Sequence, residues 1–224
     1  MDIEAVVFDM DGVLVDSEPM HYASTNEVLM TRGAFLEQHA YDACRGMSES
    51  AFFAFLVKKF GLNEDPERLA HERIQASLLR LASQTLLPMH GALGCLLALS
   101  AEGYRLAIAS AARKLQVDLV VDKLGVRSLL GAVVSLDDVA QGKPAPDLFL
   151  EAARRLGCDP THCLVVEDAV HGVEAAVQAG MAVVALPPVG DDGAAHRDAG
   201  AFQCLDSLAE LTPEFLETWN VASD

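Results

Sequence analysis

Short apolar runs alternate along this chain with stretches of helical period. Ala5-Val6-Val7-Phe8 is the first run, four β-branched, aromatic and small apolar residues ended by Asp9 and the turn-forming Asp11-Gly12. It predicts a strand buried on both faces of a parallel sheet. Runs at 105–109, 132–134, 163–166 and 181–186 repeat the pattern, and 201–205 repeats it more weakly. Between them, 115–124, 146–156 and 170–179 carry apolar residues three and four apart, the spacing of one helix face. This alternation, from about residue 91 and including the first strand, predicts βαβ units and an α/β fold with a doubly wound, Rossmann-like parallel sheet.

Residues 17–88 break the pattern. Their apolar positions, among them Val28, Leu29, Phe52, Phe53, Leu56, Leu69, Ile74, Leu78 and Leu81, recur with helical period and no strand-like run. We therefore expect an all-helical cap inserted over 17–88 into an α/β core made of 1–16 and 89–224. Gly46, Gly61, Asn63 and Pro66 divide the insert into several helices, and Pro88 with Gly91 marks the return to the sheet. An insert directly after the first strand sits where open α/β sheets bind ligands, outside the carboxyl ends of the strands.

Composition narrows the chemistry. In 224 residues, 51% are hydrophobic and 22% charged, which suits a globular protein with an ordinary core and a smaller accessory unit. The formal charge of −17 repels polyanions at long range, so neither nucleic acid nor an anionic membrane surface is expected as a partner. The opening residues Met1-Asp2-Ile3-Glu4 and the brief run after them are too short and acidic for a signal peptide or a membrane span, and the cytoplasm is the expected location. Cys44, Cys95, Cys158, Cys163 and Cys204 are odd in number and lack a C-x-x-C pair, and read as reduced thiols. An anionic small substrate is compatible with such a chain where a metal ion and a few fixed cations reverse the potential locally.

The candidates for that reversal stand at strand ends. Asp9 and Asp11 follow the first strand with one residue between them, and side chains two apart leave a strand on one side. Carboxylates so close need a cation or a shared proton, the arrangement of a metal-assisted two-carboxylate mechanism, although a solvated Asp-rich turn has the same spelling. Glu167-Asp168 ends the run 163–166 and would reach the same sheet edge, where oxygen ligands from two strands suit Mg²⁺. A cap on the following helix is the alternative there. Ser110, after 105–109, precedes a helix and could hold a phosphate oxygen with the following backbone N–H groups, or simply cap. Lys143 lies in Gly142-Lys143-Pro144-Ala145-Pro146-Asp147, where two prolines restrict the backbone and a placed ammonium could neutralise a transferring phosphoryl group.

Taken in order, Asp9-Met10-Asp11-Gly12-Val13-Leu14-Val15-Asp16-Ser17, Ser110-Ala111, Gly142 to Asp147 and Val165-Val166-Glu167-Asp168-Ala169 closely resemble the four motifs of the haloacid dehalogenase superfamily of phosphohydrolases. The insert looks like the helical cap of the branch that holds β-phosphoglucomutase, phosphoglycolate phosphatase and sugar-phosphate phosphatases. The resemblance implies that Asp9 is the nucleophile forming an aspartyl-phosphate and that Asp11 is the acid and then the base. It implies Mg²⁺ held by Asp9, the backbone carbonyl of Asp11 and Asp168 with Glu167 in support. It also implies that Ser110, Ala111 and Lys143 bind the transferring phosphoryl group, and a second carboxylate at Asp11 argues against dehalogenation.

Phosphatase or mutase turns on the cap. His21 matches a cap-hinge histidine of the mutase group, Arg113 with Lys114 falls where the mutase has a basic residue, and Gly46 and Ser48 match its substrate-contacting segment. Against these, Glu49 stands where the mutase has an arginine that grips the second phosphate, and Glu72 falls on another cationic position, with Arg73 one residue away. We expect a Mg²⁺-dependent phosphatase acting on a small phosphorylated metabolite, a sugar phosphate, as a monomer or weak homo-oligomer. The alternatives are β-phosphoglucomutase activity and an inactive metabolite- or partner-binding protein.

Overall fold

The computed structural model describes residues 2–44 and 47–222, without the side chains of 219–222, and the chain divides into two compact units, Met1–Asp16 with Leu86–Asp224 and Ser17–Thr85. The first unit holds six strands, β1 (Ala5–Phe8), β2 (Arg105–Ala109), β3 (Ala132–Val134), β4 (Cys163–Glu167), β5 (Ala182–Ala185) and β6 (Gln203–Cys204). All pair in parallel, in the order β3-β2-β1-β4-β5-β6. The chain runs outward from β1 through β2 to β3 and then crosses to β4 on the other side of β1. Between β1 and β4 lies the switch point at which open α/β sheets bind ligands.

The strands are buried on both faces, as continuous apolar runs in a parallel sheet must be. Val7, Ala109, Val134 and Val165 form one core cluster with Phe149 of α7 (Asp147–Leu156) and Val173 of α8 (Val170–Gln178). The helix α5 (Ala92–Ala101) packs on β2 and on the turn Leu208–Glu210. The remaining helices are α6 (Lys114–Leu124), α9 (Ala194–Asp198) and α10 (Pro213–Ala222).

The second unit has no strand among its described residues. It consists of α1 (Glu18–Met30), α2 (Gln38–Asp42), α3 (Glu49–Phe60) and α4 (Pro66–Ser83), with Val28, Leu29, Leu36, Phe53, Leu56 and Leu69 as its core. Gly61 ends α3 at φ +62° and Pro66 opens α4, the turn chemistry read from the sequence. Arg45 and Gly46 lie outside the described residues.

Candidate active site

β1 stops at Phe8, whose neighbour across the ladder is Val166, and the backbone N–H of Asp9 donates to Val166 O at 2.9 Å. That register sets Asp9 beside Glu167 and Asp168 at the ends of two adjacent parallel strands. Oxygen atoms of Asp9, Glu167 and Asp168 lie within 4.8 Å of one another, and among the described residues this is the one such carboxylate, imidazole or thiol group. Lys143 reaches it from the loop before α7. Its side chain is 3% exposed, and its ammonium pairs with both Asp9 and Glu167 and lies 5.0 Å from the Phe149 ring centroid.

Two glycines make room for this packing. A Cβ at Gly172 would stand 1.9 Å from Glu167 Oε1, and one at Gly12 would stand 2.1 Å from Asp168 Oδ2. Gly12 also turns the chain at φ +78°. Glu167 is held further by the N–H of Ala169, which donates to its carboxylate at 2.8 Å.

Three carboxylates face one ammonium, so negative charge is in excess. Burial pushes the Asp9 carboxyl up to about 7, with Glu167 and Asp11 adding to the rise and Lys143 opposing it. Asp168 is raised well above the usual carboxylate range by burial, Glu167 and Asp9. Burial disfavours the Lys143 ammonium, but Asp9 and Glu167 outweigh it and hold its pKa above the ordinary value. A hard divalent cation with oxygen ligands would balance this set, and the clustered oxygens fit one.

Asp11 corrects the sequence reading. The strand ends before it, and residues 10–15 fold back on themselves, with Gly12 N–H donating to Val15 O at 2.8 Å and Leu14 N–H to Met10 O at 2.9 Å. The two-residue strand spacing therefore does not govern Asp9 and Asp11. Asp11 still lies near enough to raise the Asp9 pKa, while its carboxylate is outside the clustered three. Ser110 is 1% exposed, but α6 starts only at Lys114, with Arg113 as its cap residue. Its hydroxyl instead accepts from Ala112 N–H at 3.1 Å, so Ala111 belongs to a bend and not to a helical turn. Arg113 donates to Asp137 Oδ1 at 2.6 Å.

In the second unit, Ser48 caps α3 by accepting from Ala51 N–H at 3.4 Å. Arg73 meets His21 Nδ1 at 3.0 Å and pairs with Glu49, whereas Glu72 pairs with Arg32 at 2.7 Å.

His196, which no sequence motif singles out, is buried, and its Nε2 donates to the backbone oxygen of Asp168 at 2.7 Å. The three-residue spacing of Gly193, His196 and Ala199, all partly or fully buried, was the available signal. His90 and His171 are exposed. Among the described residues no helix is long and apolar enough to cross a membrane.

Comparison with known proteins identifies the family. The family model described as haloacid dehalogenase-like hydrolase matches residues 6–186. A fructose-1-phosphate phosphatase of Escherichia coli is 35% identical over 182 residues, 80% of this chain and 94% of that protein. A β-phosphoglucomutase of Bacillus subtilis is 28% identical over 97% of this chain and 96% of its own. The crystal structure of a protein described as a β-phosphoglucomutase from Thermotoga maritima superposes with a TM-score of 0.80 at 25% identity, covering 96% of this chain and 99% of that one. The chain therefore belongs to the haloacid dehalogenase-like hydrolase family.

Proposed function

We propose that this protein is a Mg²⁺-dependent phosphatase of a small sugar phosphate, working through an aspartyl-phosphate on Asp9. The observation that carries the reading is the group of Asp9, Glu167 and Asp168 with Lys143 at the switch point of the sheet. Asp9, Asp168 and the backbone carbonyl of Asp11 would hold the metal, with Glu167 supporting it. Bound there, Mg²⁺ supplies positive charge that lets an anionic phosphate approach Asp9 and keeps that carboxylate ionised.

An Asp9 carboxylate oxygen attacks phosphorus and the ester P–O bond breaks. Asp11 gives its proton to the departing sugar oxygen, then takes one from the water that attacks the aspartyl-phosphate and releases inorganic phosphate. Lys143, fixed between Asp9 and Glu167, holds the nucleophile in place and offsets charge on the phosphoryl oxygens. The Ser110 hydroxyl lies at the neighbouring strand end and offers a donor to the same oxygens.

The Glu49–Arg73 pair supports hydrolysis over phosphomutase chemistry. Its guanidinium already faces a carboxylate, so the pair offers no net charge to a second phosphate. The mutase is the second reading, favoured by the His21–Arg73 contact and by the full-length similarity to the Bacillus subtilis protein. A Mg²⁺-dependent phosphate-release screen over sugar phosphates, run beside a coupled assay for β-glucose 1-phosphate isomerisation, separates them. Release of free phosphate is expected; isomerisation without release would replace the phosphatase by the mutase.

A further inference from the structure

We propose that His196 is a positioning residue for the metal-binding turn at the end of β4, an inference that rests on the divalent-metal reading above. His196 lies on α9 and is 3% exposed. A carbonyl oxygen only accepts, so the 2.7 Å contact with Asp168 O requires the hydrogen on Nε2. Nδ1 is buried with no hydrogen-bond partner among the described residues. An apolar side chain would fill the same space without leaving a nitrogen unpaired, so what the imidazole adds is one donor, and that donor goes to Asp168. The stem is anchored too, since Ala201 N–H donates to His196 O at 2.9 Å.

The turn is held at each of its elements. Leu186 N–H donates to Glu167 O at 2.7 Å, Ala169 N–H to the Glu167 carboxylate at 2.8 Å, and the Asp168 carboxylate lies against Gly12. His196 fixes the remaining backbone carbonyl, that of Asp168 itself. Mg²⁺ demands near-ideal ligand geometry, so a main-chain shift at a ligand residue is felt in affinity. Groups that orient metal ligands typically cost 10–100-fold in metal affinity when removed.

The test titrates Mg²⁺ into the full chain at constant temperature and follows binding by calorimetry, so that the Mg²⁺ concentration at half-saturation, the midpoint, reports affinity independently of turnover. His196→Leu removes the donor, and His196→Gln places an amide N–H the same number of bonds from Cβ as Nε2. The Leu variant is expected to raise the Mg²⁺ midpoint by roughly 10–100-fold, with the Gln variant close to wild type. A Leu variant that melts lower without metal but keeps the wild-type midpoint would make the role one of packing and overturn the proposal. So would a Gln variant that binds Mg²⁺ poorly, a result readable even if the Leu variant does not fold. Wild type with no Mg²⁺ response would instead sink the metal reading itself and this inference with it.

Discussion

Replacing Gly172 with alanine sets two opposing effects against each other at the start of α8. Gly172 has no positive φ, so alanine suits its backbone, and the gain in helix propensity alone would stabilise the protein by up to about 1 kcal/mol. The new Cβ, however, would stand 1.9 Å from Glu167 Oε1 and 2.1 Å from its Cδ, too near for any real contact. Glu167 is the group that must move, and it is 1% exposed, paired with Lys143 and bonded to Ala169 N–H. Disrupting a buried pair costs about 3–5 kcal/mol, so the clash wins and the net loss is about 2–4 kcal/mol. At roughly 2–4 °C per kcal/mol for a chain of this size, Tm falls by roughly 4–16 °C. Calorimetric melting, with phosphate release measured beside it, checks this. A Gly172→Ala protein that melts at or above wild type with full turnover would refute the argument that Glu167 is clamped against α8.

Further outcomes follow from the charge excess. Asp9→Asn should lower turnover by on the order of 10⁴-fold or more while the metal-free protein melts no lower than wild type at pH 8, because the change relieves a buried repulsion; substantial residual phosphate release would exclude Asp9 as nucleophile. In chelator, stability should decline as pH rises from about 4 to about 7, since Asp9 and Asp168 bind protons more tightly folded than unfolded. Asp138 and Glu151, each held down to about 2, act oppositely and only below about pH 4, so urea midpoints against pH separate the two groups. EDTA should abolish turnover, and Mg²⁺ at 100 times its dissociation constant should restore it and add about 2.7 kcal/mol of stability; turnover surviving in chelator would point to a metal-free reaction.

Much of the fold was legible because local periodicity records burial. Ala5–Phe8, Arg105–Ala109 and Ala132–Val134 are the strands their apolar runs predict, and α6, α7 and α8 begin and end within one residue of their predicted bounds. The helix α9 was missed because five residues carry too little periodic signal, and its buried histidine went with it. The carboxylates were legible for a different reason: polar residues that abruptly end buried strands have a sheet edge as their destination.

Periodicity does not record which distant groups meet. Lys143 and Asp9 are 134 positions apart, and only the parallel register of β1 with β4 and the placement of α7 bring the ammonium between Asp9 and Glu167. The fold-back of residues 10–15, the pairing of Arg73 with Glu49 and the contact of His196 with Asp168 belong to the same class. The sequence by itself determined the strands, the helices and the residue types offered for phosphate and metal chemistry, since those follow from local burial and turn preference. Partners, charge balance and the volumes that only Gly12 and Gly172 leave open were decided by tertiary structure, because they depend on distances between elements that no local pattern encodes.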